Sequence, residues 1–235
     1  MILKVDDVAN KHKAKPAICV GHGSSLNDYC DRLKELKNKH LIFGSNNWFD
    51  YYDTSPNYWV VCGALENNLK NQYDRLNQIK TTTFCHSYTY DSNDYSNYNF
   101  QDFDLLLYNS YPNNDVINES IKNRLKLYTN SSERYGIGCN TGLHVITLSI
   151  LMGCNPIYLI GFDVDHGLGF AKNSMGFNVD FLKTKDDPKV LQSAYVENYL
   201  SDLKTINNSA KNIGVEIINL NKNAFFDVFK IGEIE

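Results

Sequence analysis

The sequence predicts an α/β protein built on a mainly parallel sheet, and three observations carry that expectation. Short apolar runs alternate with segments of helical period. Three such runs leave through polar or glycine-bearing exits within the first third of the chain, the alternating pattern of a parallel sheet. Two runs end in turns that let backbone approach a phosphate: Ala17-Ile18-Cys19-Val20 before Gly21-His22-Gly23-Ser24-Ser25-Leu26, and Ile157-Tyr158-Leu159-Ile160 before Gly161-Phe162-Asp163-Val164-Asp165-His166.

Taken in order, residues 16–20 read as a buried first strand, and residues 27–39, with Leu33 and Leu36 among charges, as a surface helix. Residues 40–43 form a second strand leading to Gly44-Ser45-Asn46-Asn47, and residues 58–62 a third leading to Gly63-Ala64-Leu65-Glu66. A helix over 65–79 and a strand over 81–84 follow. The stretch 88–114 is rich in Asp, Asn, Ser and Tyr and has no sustained helical period; Leu105 to Tyr108 is a short strand within it. Residues 141–152 are apolar on nearly every face and predict a helix buried against the sheet, stopped by Gly153. Asn155-Pro156 turns the chain into the strand 157–160, which delivers Asp163 to a strand end. The mixture of glycine, lysine and aspartate that follows makes residues 166–192 a candidate lid. A helix over 190–213 and a last strand over 215–220 complete the pattern.

The chain has 235 residues, enough for one core with a small lid and too few for two ordinary domains, so residues 1–235 are expected to form a single domain. A formal charge of −4 gives no clustered basic footprint for nucleic acid. Six cysteines without a C-x-x-C pair argue against a zinc cage or a dithiol centre and suit a reducing compartment. Lys4, Asp6, Asp7, Lys11 and Lys13 interrupt any leader-like apolar stretch, and no run approaches the ~20 apolar residues of a membrane span. The expected location is the cytoplasm, with a membrane-peripheral position and a homo-oligomer both allowed.

The turn Gly21-His22-Gly23-Ser24-Ser25 opens a helix after a strand, so its amides could receive phosphate. It lacks the third glycine of the dinucleotide fingerprint and the Gly-Lys-Ser/Thr ending of a Walker loop; its alternative role is a tight turn that needs positive φ. Asn46 is either a ligand for a base or ribose or an Asx turn, and Thr141, between Asn140 and Gly142, is either a helix cap or an anion ligand. Asp163 and Asp165 flank one apolar residue, a spacing that suits a divalent ion on a diphosphate, or Asp163 caps a loop. His166 beside a carboxylate is the candidate general base, against a solvent-facing loop histidine, while His144 reads as a core residue.

In their order, the patches Ile18-Cys19-Val20-Gly21-His22-Gly23-Ser24-Ser25-Leu26, Phe43-Gly44-Ser45-Asn46-Asn47, Asn140-Thr141-Gly142 and Ile157-Tyr158-Leu159-Ile160-Gly161-Phe162-Asp163 resemble glycosyltransferase family 42, the bacterial sialyltransferases. They are also similar to the related family of motility accessory factors and 6-hydroxymethylpterin diphosphokinases. The resemblance implies a Rossmann-like three-layer sandwich with a lid, binding a nucleotide or nucleotide-activated sugar. It implies that Gly21, His22, Gly23, Ser24, Ser25, Asn46, Asn140, Thr141 and Gly142 surround a cytidine monophosphate donor. Asp165 and Phe170 stand nearest to the positions where that family holds the donor phosphate with aromatic residues, and neither offers a phenol. Where the family places its base histidine, before the last helix, this chain has Gln192, Ser193, Ala194 and Tyr195.

The leading expectation is therefore a transferase that moves a sugar from a nucleotide-activated donor, a CMP-sugar favoured, to a glycan-type acceptor. Asp163 organises the site, His166 is the base, and no metal or other cofactor is needed. The alternatives are a Mg-dependent diphosphokinase of the 6-hydroxymethylpterin type and a non-catalytic nucleotide-binding relative.

Overall fold

A computed structural model describes residues 3, 5–46, 48–52, 54–61, 81–86, 105–108, 141–163, 188–222 and 227–234. Their elements, in chain order, are α1 (Val5–Val8), β1 (Ala17–Val20), a 3-10 helix (Ser24–Asp28), α2 (Leu33–Leu36), β2 (Leu41–Ser45), α3 (Trp48–Tyr51) and β3 (Tyr58–Val61). Then come β4 (Thr82–His86), β5 (Leu105–Tyr108), α4 (Thr141–Leu151), β6 (Ile157–Ile160), α5 (Pro188–Asn212), β7 (Ile217–Asn219) and β8 (Lys230–Ile231).

The strands form one eight-stranded sheet in the order β5-β4-β3-β2-β1-β6-β7-β8. Every described pairing is parallel. β1 pairs on one side with β2 (Ala17 opposite Leu41) and on the other with β6 (Ala17 opposite Ile157). The chain thus steps from β1 outward to β5, then returns to β1's other side. The reversal makes the β1/β6 boundary the topological switch point, where open parallel sheets leave a crevice beyond the strand carboxyl ends.

Alternation along the strands builds two cores. Ala17, Cys19, Phe43, Val60, Ile157 and Leu159 face Leu143, Ile146 and Ile150 of α4 and Leu203 and Ile206 of α5. Ile18, Val20, Ile42, Trp59, Val61 and Ile160 face Leu26 of the 3-10 helix, Leu33 and Leu36 of α2, and Trp48 and Phe49 at α3. Successive strand side chains point to opposite faces, so apolar runs such as Ala17–Val20 must be covered on both. The result is the expected three-layer α/β sandwich, Rossmann-like in its sheet.

Several expectations are corrected. The single helix over 27–39 is instead a 3-10 helix at Ser24–Asp28 followed by α2 at Leu33–Leu36. Asn27, Asp28 and Asp31 are residues whose short polar side chains compete with a helical backbone. The second strand runs on through Gly44 and Ser45, which pair with Trp59 and Val60 of β3; the indole of Trp48 packs over Gly44, where a Cβ would lie 2.6 Å from Trp48 Cε3. The last predicted strand shortens to Ile217–Asn219, and the short elements α1, α3 and β8 were not predicted. Gly153 ends α4 at φ +83°, the left-handed stop expected of it. The helix expected over 65–79 lies outside the described residues, as does the candidate lid except for residues 188–192, which open α5.

Candidate functional site

The two glycine-bearing turns meet at the switch point. The Gly21 amide donates to the carbonyl of Ile160 at 2.8 Å, and the Gly23 amide to the carbonyl of Gly161 at 2.9 Å. A Cβ on Gly21 would sit inside van der Waals contact of the Gly161 carbonyl, and one on Gly23 would lie 2.5 Å from Asp163 Oδ2. Gly23 has φ −70°, and Gly21 is not in the left-handed region either, so close approach of two backbones demands these glycines, and the turn that needs positive φ is set aside. Gly161 does adopt φ +74°, and a Cβ there would lie 2.8 Å from the Gly21 carbonyl oxygen.

Asp163, 4% exposed, closes the junction. Its Oδ2 accepts the Ser25 amide at 2.7 Å and the Ser24 hydroxyl at 3.3 Å. Its Oδ1 accepts the Ser25 hydroxyl and, at 2.9 Å, the Asn221 carboxamide. A carboxylate offers about four lone-pair sites, and all four are taken by the chain's own donors. The Ser25 hydroxyl also accepts the Gly161 amide at 3.2 Å, so one residue of the first turn fastens both ends of the second.

On β1's other side, Ser45 Oγ lies 3.1 Å from the Val20 carbonyl and 3.0 Å from His22 Nε2. The carbonyl can only accept, so the single Ser45 proton goes to it and the hydroxyl oxygen accepts His22 Nε2–H. That assigns the neutral imidazole its tautomer. Burial of the ring pushes its pKa down to about 4, a hydrogen bond to the Ser45 backbone opposing the shift.

Asn46 follows β2 with φ +25°, a conformation asparagine tolerates better than most residues. It is pinned by its amide to the Val60 carbonyl and by the Trp59 indole to its own carbonyl, each at 2.9 Å. Its side-chain amide then donates to Thr141 Oγ1 at 3.0 Å. Thr141 is the first residue of α4 and Gly142 the second; that helix carries no acidic residue in its first turn. The positive end of an 11-residue helix therefore opens beside β2.

Of the residues singled out in the sequence, the fold gathers Gly21, His22, Gly23, Ser24, Ser25, Asn46, Thr141, Gly142 and Asp163 around the exits of β1, β2 and β6. Asn140, Asp165, His166 and Phe170 lie outside the described residues. Sequence reasoning missed Ser45 and Asn221. Ser45 had a signal, as a polar residue at the end of an apolar strand; Asn221 is one asparagine among many. No group of three or more His, Cys, Asp or Glu side chains that could hold a metal occurs among the described residues. Nor is any helix among them long and apolar enough to cross a membrane.

Known structures share this architecture. The fold superposes on the MAf glycosyltransferase from Magnetospirillum magneticum AMB-1 with a TM-score of 0.59 at 11% identity, over 96% of this chain and 35% of that one. The chain thus spans about a third of that enzyme's length. It also superposes on the sialyltransferase CstII from Campylobacter jejuni in complex with cytidine-5'-monophosphate, with a TM-score of 0.56 at 18% identity, over 94% of this chain and 86% of that one. The same enzyme with CMP-3FNeuAc gives a TM-score of 0.51 at 18% identity, over 93% and 87%. The comparison with curated proteins gave no match. The family model described as 6-hydroxymethylpterin diphosphokinase MptE-like matches residues 1–167.

Proposed function

We propose that this chain, which belongs to the 6-hydroxymethylpterin diphosphokinase MptE-like family, is a glycosyltransferase that moves a sugar from a CMP-sugar donor to a glycan-type acceptor. The observation that carries the reading is the saturation of Asp163. A magnesium ion shared between Asp163 and Asp165 would ask this carboxylate for an oxygen, yet each of its oxygens already accepts two hydrogen bonds. A metal-independent transfer asks instead for neutral donors around a leaving phosphate, for which the Asn46 carboxamide, the Thr141 hydroxyl and the opening turn of α4 are placed, while turn 21–25 is held in shape by its own hydrogen bonds. The fold is shared with a sialyltransferase bound to cytidine-5'-monophosphate, which supports cytidine as the base.

On this reading His166 takes the proton of the acceptor hydroxyl. The freed oxygen attacks the anomeric carbon, the bond from that carbon to the donor phosphate breaks, and the nucleotide leaves with the electron pair. Asn140, Asp165 and Phe170 complete the donor surround. His166→Ala is expected to lower turnover by about 100-fold or more with nucleotide affinity little changed; unchanged turnover removes His166 from the mechanism.

The family description favours one second reading, a Mg-dependent diphosphokinase in which Asp165 supplies the metal carboxylate. Thermal stabilisation by cytidine monophosphate, cytidine diphosphate, uridine diphosphate, guanosine diphosphate and ATP, each with and without magnesium, separates the two. Metal-independent stabilisation by cytidine monophosphate is the expected outcome. A response to magnesium-ATP alone would transfer the assignment to the diphosphokinase, and no response to any nucleotide would point to a non-catalytic relative.

A further inference from the structure

Asp163 receives one of its four hydrogen bonds from a part of the chain that no motif marks. Asn221 follows β7, beyond residues 1–167 that the family model matches, and its carboxamide Nδ2 donates to Asp163 Oδ1 at 2.9 Å. Asn221 is itself held: its backbone amide donates to Oδ1 of the buried Asn219 at 3.1 Å. A continuous path therefore runs from β7 through Asn219, Asn221 and Asp163 to Ser24 and Ser25 after β1.

We infer that Asn221 is a positioning residue of the nucleotide site. It fixes the Asp163 carboxylate and, through it, the shape of the turn 21–25. The carboxylate's orientation is set by opposing pulls: the Ser24 and Ser25 donors come from one neighbouring strand exit and Asn221 from the other. Without Asn221, the carboxylate can rotate about its last torsion, and the Ser25 amide and hydroxyl lose their fixed acceptor. The inference rests on the reading of this turn as the nucleotide cradle.

The test compares Asn221→Ala and Asn221→Asp with the unaltered chain. Three quantities are followed: hydrogen exchange of the Ser25 amide without ligand, affinity for cytidine monophosphate without metal, and melting temperature. In Asn221→Ala the Ser25 amide is expected to exchange about tenfold faster, with affinity weakened about tenfold, since a hydrogen bond to a charged group is lost. The melting temperature is expected to stay within a few degrees.

Asn221→Asp supplies the readout that a purely structural residue would not move. At pH 8 two carboxylates face each other and affinity falls by more than in the alanine variant. At pH 5 the introduced carboxyl, its protonation favoured by the carboxylate it faces, restores a donor to Asp163, and affinity recovers toward that of the unaltered chain. His22, on the β1 turn, has its pKa near 4 and is neutral across this window. Lys222 and Glu233, next to Asn221 and after β8, hold each other charged across it, the lysine pushed up and the glutamate down by their 2.6 Å pair. Unchanged Ser25 exchange, or faster exchange by one common factor at every amide, overturns the inference, as does an Asn221→Asp variant whose affinity relative to the unaltered chain at the same pH is independent of pH, a ratio that cancels the titration of the nucleotide's own phosphate. If the unaltered chain binds no cytidine monophosphate, the transferase reading falls, and the Ser25 exchange alone decides the role of Asn221.

Discussion

The two ends of α4 are finished in opposite ways. At its carboxyl end the carbonyls of Leu151, Met152 and Gly153 accept the amides of Asn10, His12 and Ala14 at 3.0, 2.8 and 2.9 Å, so the preceding strap of chain closes the helix with backbone alone. At its amino end the described partner is a side chain, the Asn46 amide on Thr141 Oγ1. Carbonyls at the carboxyl end are closed off by backbone at one edge of the sheet, while the amino end opens at the other, beside the exit of β2. The difference fits a division in which one edge serves stability and the other, on the proposed function, serves the ligand.

Substitutions at matched positions can break this contrast. The largest effect is expected from Gly161→Ala, which combines φ +74° with a Cβ 2.8 Å from the Gly21 carbonyl oxygen. It should cost about 4 kcal/mol in denaturant unfolding and abolish nucleotide-induced stabilisation. Its counterpart Gly153→Ala has φ +83°, with its nearest neighbours at 3.2 Å. There about 2 kcal/mol is expected to be lost, with nucleotide affinity unchanged. Equal loss of affinity at both glycines would erase the division between the edges.

Asp163→Asn keeps the shape but turns one acceptor oxygen into a donor that faces donors. About 3 kcal/mol of stability should go, together with nucleotide affinity. His22 sharpens the contrast through pH. Its folded pKa of about 4 lies below the unfolded value of 6.5. Above pH 6.5 neither state binds the proton; below it the unfolded state does and the folded state does not. Stability should therefore fall by about 3 kcal/mol as pH drops from 6.5 toward 4. His22→Gln, which can still donate to Ser45, should flatten that part of the curve. The smallest effect is expected at the closed edge, where Tyr58 OH lies 2.6 Å from His12 Nε2. Tyr58→Phe should cost about 1 kcal/mol and leave nucleotide binding untouched, as calorimetric titration would check.

What the sequence disclosed follows the same divide. The strands were legible because they are buried on both faces, so Ala17–Val20, Tyr58–Val61 and Ile157–Ile160 are unbroken apolar runs. α4 was legible because it is buried on nearly every side. β8 was not, being two exposed residues without alternation. The glycines of the junction were visible as glycines, but the reason for them was not: Gly21 is constrained by Gly161, a neighbour only in space. Asn221 was invisible for a similar cause, since its meaning lies entirely in which carboxylate it reaches.

The strand order also has a consequence in time. β1 finds β2 a short way down the chain, but its other partner, β6, lies far beyond, and the Ser25–Asp163 bond joins residues 138 positions apart. Closing so long a loop is slow relative to pairing neighbours along the chain. The crevice is therefore assembled late, after much of the sheet on the β2 side can exist, and Asn221 reaches it from still further along. A growing chain can pair strands β1 through β5 before residues 157–163 exist to complete the junction, so the Ser25–Asp163 bond would report completion of the fold.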